Sequence, residues 1–428
     1  MRVRHWMGLV AATVVVVGCA PVQSGVQRAG TDDLGGQVRV WLFDEVNRAP
    51  KEKVVQEAVA EFEGKHAGVT VDVQYIQVAA RAERFKAAFS DPASAPDVAE
   101  FGNTDIAGYV AAGGLADISQ EMLNWTDVHD ITASVLDASK VDRKLYGVPW
   151  YVGVRALYYR TDVFSLLGIQ PPSTLDEIAT VARRVRAARP DLLGISVGGK
   201  YTYGALPFIW AKGGDIAAHA NNKFSSTLTT PEARAGVAAY TDLLRDDICP
   251  PAQCAGNGGD ASVEAFRAGK AAMTIGGDFN RRSVDASAAA GKYAVVPLPG
   301  ETAGSVAPAF GGGNLLGLLA GTKHRTLANE FVQLLAGKRY QRKMYDAMGN
   351  LPTFADVQRE VAAADPFLKP FAATLANGTR FVPVTPAWAK IDAQAVLPTM
   401  LQEIASGTKS VAAATSSAAD AMNAAFGS

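Results

Sequence analysis

The sequence predicts an α/β protein of two lobes, each a mixed sheet flanked by helices. Three observations carry this. The chain has 428 residues, more than one ordinary core organises. Near its start, a β-branched run at residues 38–43, a helical stripe from Pro50 and an alternating run at 69–75 spell strand–helix–strand, the parallel unit. Residues 147–160 then read as one extended stretch: Pro149 keeps Val148 out of the helical region, and the aromatic and β-branched residues around Trp150, Tyr151, Leu157, Tyr158 and Tyr159 suit a pleated strand. That stretch is expected to cross between the lobes and to carry ligand contacts as it crosses.

The totals narrow the class. Hydrophobic residues make up 48% and charged residues 19%, which describes a packed globular protein. A formal net charge of −1 argues against nucleic acid as the partner, because phosphate binding needs a basic face. No interior run approaches a membrane-spanning length. At the N-terminus, Arg2, Arg4 and His5 precede an apolar run from Trp6 to Val17, the pattern of a secretion signal over residues 1–18. It ends in Val16-Val17-Gly18-Cys19, which resembles the bacterial lipobox. Lipidation of Cys19 is therefore expected, against the alternative of a buried cysteine in an ordinary signal peptide. A two-chain lipid would hold the protein on the outer face of the cell membrane. Residues 19–36 are polar, without period, and read as a tether.

In chain order, the helix from Pro50 carries Val54, Val55, Ala58, Val59 and Phe62 on one side and is expected to stop at Gly64. A helix at 81–89, a strand at 97–101 and a short helix at 106–112 follow. The loop between the last two, Gly102-Asn103-Thr104-Asp105, lies at a strand's carboxyl end, where open α/β sheets bind ligands. Thr174 and Glu177 have capping-box spacing ahead of a helix to 188. A strand is expected at 192–197, an apolar helix around Trp210, a helix from Pro231 to about 247 and another at 263–268. Strands at 271–275, 293–297 and 314–320 precede a mostly helical remainder to the C-terminus. Gly311-Gly312-Gly313 is not a phosphate loop, because no Gly-Lys-Ser/Thr ending and no helix follow it.

No catalytic signature is present: nucleophile elbows, His-Glu-x-x-His and paired Cys-x-x-Cys motifs are missing, and the five histidines are scattered. We expect no cofactor, no metal and no enzymatic activity. Cys249 and Cys254 close a short loop and read as a disulfide staple; metal binding is the rival reading, weakened by the absence of a nearby histidine. Aromatic residues and carboxylates at loop positions stand out instead. Sugar rings offer an apolar C–H face to an aromatic ring and a belt of hydroxyls to Asp, Glu, Asn and Arg. Trp41 is read as core. Trp150 and Tyr151 at the crossing, Tyr203, Trp388 and, less decisively, Trp210 are read toward the site.

These residues also carry a resemblance. Ala112-Gly113-Gly114-Leu115-Ala116-Asp117, Leu145-Tyr146-Gly147-Val148-Pro149-Trp150, Leu157-Tyr158-Tyr159-Arg160-Thr161-Asp162-Val163-Phe164 and Phe266-Arg267-Ala268-Gly269-Lys270-Ala271-Ala272-Met273 stand in this order. The chain from Gly36 onward resembles the solute-binding proteins of bacterial ABC importers, of the maltose-binding type. The resemblance implies a type II periplasmic-binding-protein clamp, with residues 36–153 and 307–350 in one lobe and 154–306 and 351–428 in the other. It implies a monomer that passes an oligosaccharide to ABC permease subunits. Family binding positions match Glu45, Asn103, Thr104, Asp105, Trp150, Tyr151, Tyr203, Gly277, Asp278, Gly312, Gly313 and Trp388. Gly153 replaces a carboxylate of maltose binders and Phe279 replaces a tryptophan; with Arg155 close by, this changes which hydroxyls, amides or acids can be paired. The run Glu100-Phe101-Gly102-Asn103-Thr104 and the trio Pro149-Trp150-Tyr151 look like actinobacterial relatives that take up amino-sugar, cellobiose-like or trehalose-like oligomers. An amino-sugar disaccharide is thus one candidate. Arg155 and Lys212 leave a phosphodiester or peptide ligand as the alternative, with a secreted glycan hydrolase behind it.

Overall fold

In the computed structural model, residues 32–45, 48–221 and 223–427 are described. The expected signal segment, Cys19 and the tether up to residue 31 lie outside them. The last residues expected in the tether, 32–36, are held in place: Asp32 accepts from the Thr326 N–H and hydroxyl, the Asp33 N–H donates to the Lys323 carbonyl, and Gly36 opens the first strand. Two sheets organise the chain, and we number their strands: β1 Gly36–Asp44, β2 Val69–Gln77, β3 Val98–Gly102, β4 Val148–Gly153, β5 Arg155–Arg160, β6 Met273–Gly277, β7 Tyr293–Val296 and β8 Gly312–Leu318.

The first sheet runs β2-β1-β3-β8-β4. β1 is parallel to β2 and β3, while β8 is antiparallel to β3 and β4. The helix α1, Ala49–Lys65, makes the crossover from β1 to β2. It buries Val54, Val55, Ala58 and Phe62, four of the five residues of its apolar stripe. Gly64 does not stop it: the helix runs one residue further, and His66 caps it through backbone bonds to Phe62 and Glu63. The second sheet has β5 at its centre, antiparallel to β6 and β7. The strand expected at 192–197 is reduced to two isolated parallel bridges, Leu193 to Ala271 and Ser196 to Thr274, that extend this sheet beside β6.

The stretch at 147–160 is two strands, not one. β4 belongs to the first sheet and β5 to the second, with Val154 between them. A single residue therefore separates the edge strand of one sheet from the central strand of the other. Thr174 caps the helix Leu175–Ala188 by accepting from the Glu177 N–H at 3.3 Å, and the Glu177 carboxylate accepts from the Ser173 N–H, one residue before the cap, at 2.7 Å. The helix from Pro231 ends at Thr241, earlier than its composition suggested. Helices Ala387–Ala393, Val396–Ala405 and Val411–Phe426 close the chain. Cys249 and Cys254 form a disulfide. Among the described residues, no helix is long and apolar enough to cross a membrane.

Candidate ligand-binding cleft

Strand direction brings the site together. The carboxyl ends of the parallel pair β1 and β3 deliver Glu45 and the loop Gly102–Asp105 to one edge of the first sheet. β8 is antiparallel, so its beginning, Gly312 to Asn314, reaches the same edge, as does the end of β4 at Tyr151 and Gly153. From the second sheet, the start of β5 supplies Arg155 and the end of β6 leads into Asp278 and Phe279. The result is a cleft with two adjoining hollows of about 690 Å³ and 350 Å³. Both are lined by Glu45, Tyr151, Arg155, Phe279, Gly312, Gly313 and Asn314. Asn103, Thr104, Asp105 and Tyr203 add to the larger, and Asp278 and Gly153 to the smaller. The volumes fall in the range of small-molecule sites.

A buried polar network stands behind Glu45. Lys51, on α1, has no exposed surface; its Nζ donates to Glu45 Oε1 at 2.8 Å, to Glu100 Oε2 at 2.9 Å and to the Phe43 carbonyl at 3.2 Å. Glu100, equally buried on β3, also accepts the Phe43 N–H at 2.7 Å. The Tyr151 hydroxyl lies 2.8 Å from Glu100 Oε1 and 3.1 Å from Glu45 Oε1, and accepts from Asn314 Nδ2 at 2.6 Å. Burial opposes the Lys51 charge, but the Glu100 and Glu45 carboxylates outweigh it and hold its pKa above the ordinary value. Burial first, and then the same two carboxylates, push the Tyr151 phenol well up, so it stays a neutral donor.

The opposite wall is cationic and aromatic. Arg155 donates from Nε to the Tyr201 hydroxyl at 2.8 Å, and its guanidinium sits 5.3 Å from the Tyr203 ring, 5.7 Å from Phe310 and 5.8 Å from Phe279. Tyr203 stacks on Phe310 with centroids 4.2 Å apart. Phe279 is 48% exposed, a large apolar face open in a polar surround. Asp278, beside it, is buried; it accepts the Val154 N–H at 3.0 Å. Burial is the chief cause that pushes its carboxyl up to about 7, against the pull of that N–H and of Arg155. Asp105 pairs with Arg81 at 3.0 Å. Gly313 leaves no room for a side chain, since a Cβ there would lie 2.3 Å from the Tyr151 carbonyl.

Four expected contacts are corrected. Trp150 is 1% exposed and packs in the core beneath Lys51, whose Nζ lies 5.0 Å from its ring. Successive strand residues face opposite sides, so Tyr151 takes the cleft and Trp150 cannot. Trp210 is buried in its helix and donates to Asp215 at 3.0 Å. Trp388 is buried at the start of its own helix. Gly277 is buried under the Phe279 ring. Lys212 is engaged by Glu301 at 2.7 Å and Asp176 at 2.9 Å, outside the cleft lining. Trp41 is core, as expected, with Arg84 over its ring at 4.8 Å. Sequence reasoning missed Lys51, Phe310 and Asn314 and gave Glu100 no role. Glu100 and Asn314 each stand on a strand that the sequence predicts, and period-2 alternation along those strands is the signal that points to them.

Comparison with known proteins agrees with this architecture. The profile of the family described as bacterial extracellular solute-binding protein matches residues 48–342. The diacetylchitobiose-binding protein DasA of Streptomyces coelicolor is 28% identical over 378 residues, covering 86% of this chain and 84% of that protein. The galactooligosaccharide-binding protein of Bacillus subtilis is 25% identical over 82% of this chain and 80% of its own length. Among solved structures, the sugar-binding protein MalE of Xanthomonas citri superposes with a TM-score of 0.80 at 23% identity, covering 91% of this chain and 97% of that one. The GacH receptor of Streptomyces glaucescens does so with a TM-score of 0.77 at 21% identity, over 92% and 99%. The chain is a two-lobed clamp of the periplasmic-binding kind and belongs to the bacterial extracellular solute-binding protein family.

Proposed function

We propose that this protein captures a small oligosaccharide in the cleft between its two sheets and presents it to the permease of an ABC importer. The observation that carries the reading is the pairing of an open aromatic face, Phe279, with fixed hydrogen-bonding groups at Glu45, Tyr151, Asn103 and Arg155. A pyranose matches such walls with its C–H face and its hydroxyl belt. The ligands for which two relatives are named, diacetylchitobiose and galactooligosaccharide, support a short oligomer, with an N-acetylated amino-sugar disaccharide first among candidates.

The chain acts by binding and release, without chemistry on the sugar. The lobes are residues 36–153 with 307–350, and 154–306 with 351–428. Ligand closes them by favouring the closed population. A lipid on Cys19 holds the monomer at the extracytoplasmic face of the membrane. A thermal-shift and calorimetric panel of oligosaccharides, glycerophosphodiesters and peptides tests this. Stabilisation by a sugar alone, recovered unaltered, is the expected result. Stabilisation by a peptide or phosphodiester alone, or release of hydrolysed sugar, would contradict it.

A further inference from the structure

The acids deep in the cleft are already engaged. Glu45 holds Lys51 and lies against the Tyr151 hydroxyl, Asp105 holds Arg81, and Asp278 accepts the Val154 N–H. Asp260 also lines the cleft but stands exposed at its rim. Arg155 differs from all of these. A guanidinium has five N–H donors, and among the described residues Arg155 commits one, from Nε to Tyr201, and forms no ion pair. The rings of Tyr201, Tyr203, Phe279 and Phe310 surround it at 5.3 to 5.8 Å and fix its place. No carboxylate can be supplied from the crossing, where Gly153 stands and a Cβ would already touch Phe279 at 3.3 Å and Asp278 at 3.5 Å.

We infer that Arg155 is a specificity-determining residue that requires an sp2 oxygen on the sugar's substituent, the carbonyl of an N-acyl group or the carboxylate of a uronic acid, and turns away a protonated amino group. The inference rests on the oligosaccharide reading above and narrows it. A planar fork of donors matches such an oxygen and repels an ammonium.

Four disaccharides on one β-1,4 glucose skeleton test it by titration calorimetry at pH 6: cellobiose, cellobiouronic acid, diacetylchitobiose and its fully deacetylated, protonated form. The deacetylated sugar and cellobiose are each expected to bind about tenfold or more weakly than the better of the acyl and uronic forms, the size of one charge-assisted hydrogen bond. Cellobiose binding as tightly as that better form overturns the requirement for an sp2 oxygen. Which of those two binds tighter identifies the oxygen's source. Arg155→Ala should abolish the discrimination with the fold intact by circular dichroism, while Arg155→Lys should keep the exclusion of the ammonium and lose affinity for the acyl or uronic sugar. Equal binding of the deacetylated sugar, or an unchanged ratio in Arg155→Ala, overturns the role of Arg155 and leaves the oligosaccharide reading standing. Failure of all four to bind overturns the inference; the wider panel above then decides whether the oligosaccharide reading falls with it.

Discussion

Lys51 has a side chain with no contact with water, yet it holds two carboxylates, Glu100 on β3 and Glu45 just past the end of β1. Breaking such a buried set by removing its cation leaves two acids uncompensated, so Lys51→Met should lower the unfolding free energy by about 3–5 kcal/mol. Urea denaturation reads this, and a midpoint within error of the native protein would show that the set contributes nothing. Two aromatics, one in the core and one in the cleft, should respond in opposite ways. Trp150→Ala empties a core position and should destabilise by about 3–5 kcal/mol. Phe279→Ala removes an exposed ring and should leave the melting temperature unchanged while weakening sugar binding about tenfold or more, as calorimetry would show. Asp278 adds a pH dependence. Its carboxyl titrates at about 7 in the fold against an ordinary value of 3.8, so the folded state binds the extra proton between the two. Stability is therefore lost as pH rises from about 4 to about 7, by an amount on the order of 4 kcal/mol. Asp278→Asn keeps an acceptor for the Val154 N–H but cannot ionise. It should match the native melting temperature at pH 4 and exceed it at pH 8; parallel curves would refute the assignment.

Among the elements, the strand–helix–strand unit β1-α1-β2 was legible because its periods are clean: 3.6 residues along α1 and 2 along β2. The crossing at 147–160 was legible as extended chain, and the lobe boundary that the resemblance implied, 153/154, falls where one strand gives way to the next. The strand expected at 192–197 has the right composition and only two bridges, because pairing is decided by what lies alongside and not by propensity. The cleft was half legible. Loops at strand ends could be located, whereas Trp150 was mistaken for a contact because an aromatic residue beside a crossing says nothing about which way it faces. The Lys51–Glu100 pair spans 49 residues and leaves no mark in local sequence. At the β4–β8 contact, Gly313 is held by space: a Cβ would press on the Tyr151 carbonyl. Gly313→Ala should push β8 from β4 and displace the Tyr151 hydroxyl from Glu45, lowering both melting temperature and sugar affinity. Native values of both would show that the sheet edge yields freely.

For the molecule as a whole, two sheets joined at Val154 place a wall of anchored acids and hydroxyls opposite a wall of rings around a cation. Neither wall encloses a ligand alone, which is why binding and closure are coupled in this account. The most direct test is a crystal structure of the protein saturated with the oligosaccharide that binds best in the panel. The sugar is expected in the cleft, one ring on the Phe279 face, with contacts from Glu45 or Tyr151 on one side and Arg155 on the other. A sugar bound outside the cleft, or touching residues of one sheet only, would contradict it.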